Sequence, residues 1–212
     1  MQVLKEFGII PVDFKAISSK LSQYRSQRDK VSNLNKSNLL IRLIKGLYVV
    51  SPDFTNQKIS KELIANHLYG PSYISLETAL SFYGLIPERV YATLSVTAKR
   101  KKRYDTPLGV FDYKTVPAKY FSIGIVQKII QDSYAYLIAA PEKALCDIIV
   151  TRSGIRIQSL NAITEFLMED LRIDIDAVEE WDLSIITECI KNGYKKQELK
   201  WLKKFIENEC SI

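Results

Sequence analysis

Asp112 and Lys114 stand two residues apart in FDYK, a run whose alternation puts both side chains on one face of an extended strand. A carboxylate and a lysine so placed make up half of the PD-(D/E)xK pattern of metal-dependent nucleases. There, carboxylates hold Mg2+ and the lysine helps position the attacking water. Glu77 or Asp105 would supply the missing carboxylate. The motif is short enough to recur by chance in chains of this length, and a charge pair on an edge strand explains it equally well. Nuclease chemistry at Asp112 and Lys114 therefore stands as the alternative reading, with Mg2+-dependent cleavage abolished by Asp112→Ala as its signature.

Other catalytic templates find fewer residues. His67 is the only histidine, so neither a histidine metal site nor a triad base has its partners. Cys146, Cys189 and Cys210 are odd in number and widely separated, which argues against a disulfide framework or a thiolate metal site. They are expected to be reduced, with Cys146 buried. A Gly-rich phosphate loop and a GxSxG elbow are both missing. The expectation is a protein without catalytic residues, metal or cofactor.

The cations offer a different chemistry. Net charge is +6, and residues 1–50 carry nine Lys or Arg against three acids. Residues 89–120 carry eight against two, whereas residues 121–212 carry eleven against fifteen. Two segments thus hold the excess, a distribution that suits particular surfaces to a polyanion more than it serves general solubility. The densest run is KRKKR: Lys99, Arg100, Lys101, Lys102 and Arg103. Five adjacent cations repel one another, so a solvated loop is the plain reading and a contact with phosphates the functional one. Each phosphate neutralised would steepen the log–log salt dependence of binding by about 0.9.

The elements that would position these residues can be read from spacing. At 212 residues and 47% hydrophobic, the chain has material for one large domain or two small ones. A short helix over 3–7 is broken by Gly8 and Pro11. Asp13 caps a helix to about Leu21, with Phe14, Ile17 and Leu21 on one face. The spacing predicts a third helix from Tyr24 to Asn35, with Tyr24, Val31 and Leu34 inward and Arg25, Ser26, Asp29, Lys30 and Asn33 mostly outward. IRLIKGLYVVS then reads as a hairpin, Leu39–Leu43 and Leu47–Val50, turned at Lys45 and Gly46.

That order is the order of a winged helix-turn-helix, in which the third helix enters the major groove and the β-ribbon reaches the adjacent backbone. Arg25, Ser26, Arg28 and Lys30 are the helix candidates for DNA binding, and Arg42 and Lys45 the ribbon candidates. A helix over 57–68 links this first domain, 1–70, to a second, 71–212. In the second, SLETALSFYGL is a helix and residues 91–96, 110–115 and 134–138 are strands. APEKALCDIIV is a buried helix, and three further helices follow over 160–169, 183–192 and 197–208. The apolar stripe of Leu199, Leu202, Phe205 and Ile206 is expected to pack on the core. The fold class is α+β: an N-terminal winged helix-turn-helix, then a mixed α/β domain with a helical tail. Neither a membrane span nor a leader is read from the sequence, so a cytoplasmic location is expected.

Four segments together, IRLIKGLYVVS, YISLETALSFYGLIPE, LSVTAKRKKR and AAPEKALCDII, resemble the AbiEi antitoxin family of abortive-infection toxin–antitoxin systems, along nearly the whole chain. The resemblance implies an N-terminal domain that binds double-stranded promoter DNA at inverted repeats and represses its own operon. It also implies a C-terminal antitoxin domain that counters a nucleotidyltransferase-like toxin in phage defence. Such systems are classed as type IV, in which toxin and antitoxin need not form a stable complex. The third helix matches only loosely, so its base-reading residues are not carried over.

Overall fold

In the computed structural model, which describes residues 2–177 and 180–209, the chain opens with α1 (Gln2–Lys5) and a short strand, β1 (Val12–Asp13). Asp13 then caps α2 (Phe14–Lys20), its carboxylate accepting the Ala16 N–H at 2.7 Å. The next helix, α3 (Gln27–Lys36), starts three residues later than the spacing predicts. Ser26 is the cause: it is extended, at φ −127°, and its hydroxyl accepts the Asp29 N–H at 3.4 Å. An N-cap fixes where a helix begins more sharply than apolar periodicity does. Arg25 and Ser26 are therefore not helical residues, a correction to the sequence reading.

Strands β2 (Leu40–Ile44) and β3 (Leu47–Val50) form the expected hairpin, with Gly46 at φ +86° in its turn. β1 adds to β3, giving an antiparallel sheet in the order β1-β3-β2. A brief α4 (Pro52–Thr55) precedes α5 (Lys61–Leu68), which Ser60 caps through the Leu63 N–H at 3.1 Å. Next come β4 (Ser72–Ile74), α6 (Leu76–Phe82), β5 (Thr93–Thr97), β6 (Lys102–Thr106) and β7 (Gly109–Thr115). They are followed by α7 (Ala118–Phe121), β8 (Ile125–Ile130), β9 (Tyr134–Ala139) and α8 (Pro141–Thr151). The tail is α9 (Leu160–Glu165), prolonged as a π-turn over Phe166–Asp170, then α10 (Leu183–Asn192) and α11 (Lys196–Glu209).

The six strands from β4 onward form one mixed sheet in the order β6-β7-β5-β4-β9-β8, so the chain is a mixed α+β protein. Pairings β4/β9 and β5/β7 are parallel and the rest antiparallel. Strands β4, β6 and β8 are additions to the sequence reading. The run Lys99 to Arg103 is accordingly not one loop, because Lys102 and Arg103 begin β6 and pair opposite Tyr113 and Asp112.

Two apolar cores result. The smaller gathers Leu4, Ile17, Val31, Leu34, Leu40 and Val50; the larger runs from Leu43 and Val49 through α5, the six-stranded sheet, and α8 to α11. The hairpin divides its side chains between them, Leu40, Tyr48 and Val50 to one and Leu43, Leu47 and Val49 to the other. The predicted stripe of Leu199, Leu202, Phe205 and Ile206 is buried in the larger core.

That core also contains an ion pair with no exposure: Lys143 Nζ lies 3.0 Å from Asp147 Oδ1 one turn along α8. Lys143 donates to the Tyr120 carbonyl at 3.2 Å and sits over the Tyr120 ring, while Asp147 Oδ2 accepts from the Tyr73 and Ser75 hydroxyls at 3.0 and 2.6 Å. Cys146 and Cys189, 43 positions apart in sequence, meet here as buried free thiols joined by a hydrogen bond. Burial pushes the Cys146 thiol pKa well up, whereas the hydrogen bond from Cys146 lowers that of Cys189. Cys210 lies outside the described residues.

Candidate nucleic-acid interface

Helix α3 packs with Val31 and Leu34 buried, a phase that turns Arg28, Asp29, Ser32, Asn33 and Lys36 to the surface. Arg28 is thus well placed to meet an external partner. Arg25 is exposed in the α2–α3 connection, beside the start of that face. Ser26 is half-buried and its hydroxyl serves the helix cap. Lys30 folds back, its ammonium 4.5 Å from the centre of the Tyr24 ring. The sequence reading turned Asn33 outward without making it a candidate, and it missed Ser32 and Lys36. Once Ser26 is taken as the cap, the spacing of all three from Arg28, at four, five and eight residues, would have found them.

The hairpin places its two cations differently. Arg42 is exposed, but its Nε donates to the Ile44 carbonyl at 3.3 Å where the β2–β3 register slips, and its backbone N–H donates to Asn35 Oδ1 at 3.2 Å. The second of these bonds ties the ribbon to α3. Lys45 occupies the exposed tip, which is held back by the Phe14 N–H donating to the Gly46 carbonyl at 2.9 Å. With its side chains packed into two cores, the ribbon is a slab within the molecule and offers only its tip and edge. Among the described residues, Arg25, Arg28, Lys30, Arg42 and Lys45 form no ion pair. Their charge is available to an external anion.

The second basic run lies close by, because β2 contacts β6. All five of its side chains are exposed, and alternation along β6 sends Lys102 and Arg103 to opposite faces. Lys102 lies over the rings of Tyr104 at 4.8 Å and Tyr69 at 5.6 Å, and Lys99 joins it over Tyr69 at 5.4 Å. The Tyr104 hydroxyl beside Lys102 raises its pKa. Tyr69, Tyr104 and Tyr113 pack edge to face beneath these ammonium groups. Arg100 holds the bend, its carbonyl accepting from the Tyr69 hydroxyl at 3.2 Å. Arg103 pairs with Asp105 at 3.5 Å.

Lys101 instead lines a cleft of about 560 Å3 with Glu77, Asp112, Lys114 and Arg152. Asp112 and Lys114 do share a strand face, as their spacing predicts, and are ion-paired at 2.9 Å. Glu77, also in the lining, pairs with Arg152 at 2.6 Å. Asp105, engaged with Arg103, is not part of this lining. Among the described residues, no three His, Cys, Asp or Glu side chains gather as a metal site would require.

The chain matches no protein-family model, and no curated protein matches it significantly.

Proposed function

We propose that the protein is a DNA-binding repressor that also acts as an antitoxin of the AbiEi kind, with α3 as the major-groove reader in a winged helix-turn-helix. One observation carries the DNA-binding half: α3 presents Arg28, Ser32, Asn33 and Lys36 on one exposed face, with Arg25 and the hairpin cations unpaired beside it. Arginine and asparagine are the side chains suited to guanine and adenine edges, and lysine to phosphates. The order α1-β1-α2-α3-β2-β3 supports the same reading. The run Lys99 to Arg103 adds phosphate contacts with little sequence preference.

The antitoxin half rests on the resemblance of the four segments, and the toxin it counters would be nucleotidyltransferase-like. Repression takes place at inverted repeats upstream of the operon, and no catalytic step by this chain is required.

The test is fluorescence anisotropy with the protein's own upstream duplex and a scrambled one, at two salt concentrations. The native duplex should bind more tightly, and both affinities should fall with salt. Arg25→Glu with Arg28→Glu should abolish the preference, whereas alanines at Lys99, Lys101 and Lys102 should weaken both duplexes together. Equal, weak binding of both duplexes by the unmodified protein would overturn the repressor reading. In cells, the Arg25→Glu/Arg28→Glu variant should still relieve the toxin. Failure of the unmodified chain to do so would overturn the antitoxin reading.

A further inference from the structure

The cleft beside β7 has a charge pattern of which DNA binding uses only Lys101. Lys101, Lys114 and Arg152 line it together with Glu77 and Asp112, and Leu76, Leu94 and Ile148 supply an apolar wall. Its volume of about 560 Å3 lies within the range of small-molecule sites, roughly 300–1,000 Å3. A pure anion would meet the two carboxylates, and a bare cation would meet the three bases. Mg2+ with a phosphate ligand satisfies both sets, because this ion is commonly held by one or two carboxylates together with the phosphates of a substrate. Two carboxylates without a third are too few for a stand-alone metal site but enough for a metal that arrives with its ligand.

We propose that this cleft binds a nucleoside polyphosphate together with Mg2+. Lys114 and Arg152 are now neutralised by Asp112 at 2.9 Å and by Glu77 at 2.6 Å. On binding, phosphate oxygens replace the carboxylates on the bases, and Mg2+ replaces the bases on the carboxylates, so no charge is left unpaired. Lys101, which has no ion-pair partner among the described residues, meets the outer phosphate. The base stacks on the Leu76, Leu94 and Ile148 wall. Binding alone is proposed, with no bond made or broken.

The experiment titrates the full chain into a fluorescent N-methylanthraniloyl ATP, with Mg2+ and then with EDTA. Saturable binding is expected with Mg2+, weakened about tenfold or more by EDTA. Lys114→Met and Asp112→Asn should each weaken it by a similar factor, with thermal unfolding checked to show that both variants are folded. Neither residue belongs to the α3 surface, so duplex binding by Lys114→Met should match the unmodified protein; this separates the proposal from the repressor reading. Absence of saturable binding, or binding indifferent to Mg2+ and to both substitutions, overturns it. So does saturation by a 5′-phosphorylated oligonucleotide that the triphosphate cannot displace, which would make the ligand a strand end.

Discussion

Lys143 and Asp147 place two full charges where water does not reach, and each is held by several partners. Removing one member of such a pair leaves the other charged and desolvated, at a cost of about 3–5 kcal/mol. The two residues are not equivalent. Asp147 also receives the Tyr73 and Ser75 hydroxyls, so Asp147→Ala strands three donors, whereas Lys143→Met leaves the carboxylate with two. Chemical denaturation should therefore find Asp147→Ala the more destabilising. The neighbouring Glu142 gives a pH signature. Burial raises its pKa, although its Oε1 accepts the Asp182 N–H at 2.8 Å. A carboxyl with a higher pKa folded than unfolded binds its proton more readily in the native state. Its contribution to stability is thus lost as pH rises from the ordinary carboxylate value through the raised one. Glu142→Gln keeps the acceptor and removes the charge, so its melting temperature should exceed that of the unmodified protein at neutral pH. The difference should disappear in melts recorded near pH 4.5, the ordinary value for this group.

At the level of elements, Ser26 decides where α3 begins and therefore which side chains α3 shows. Ser26→Ala should cost about 1 kcal/mol, and Ser26→Asp should restore most of it, as read by denaturant midpoints. The sequence made some elements legible for physical reasons. Asp13 announced α2 by its capping chemistry, Lys45 and Gly46 marked the hairpin turn, and Pro141 opened α8. Others carried no local signal. β4 is three residues long and buried throughout, so it shows no alternation, and the charges of Lys102 and Arg103 hid the strand they start. The cleft was legible only in part. The common face of Asp112 and Lys114 follows from spacing, but the approach of Glu77 depends on how α6 packs on the sheet, which no local pattern records. The basic face of α3 was found in composition, though with its helix started too early.

Across the whole molecule, the hairpin couples the two cores, because Leu40 and Val50 belong to one and Leu43 and Val49 to the other. Neither core can lose that ribbon without uncovering the other, so one cooperative transition is expected. Both tryptophans, Trp181 and Trp201, pack against the larger core. Melts followed by tryptophan fluorescence and by far-ultraviolet circular dichroism should therefore coincide, and an earlier dichroic step without a fluorescence change would show the smaller core melting alone. The sharing of the hairpin also bears on any attempt to work with the N-terminal half by itself. A fragment cut after Val50 or Asn56 would keep α3 and its cations but strip the cover from Ile41, Leu43, Leu47 and Val49. Such a bare apolar strip on a short sheet invites other chains to replace the missing cover. Isolated for crystallography or operator screening, that piece should elute from a sizing column as an oligomer or aggregate, while the full chain keeps the same strip covered from within.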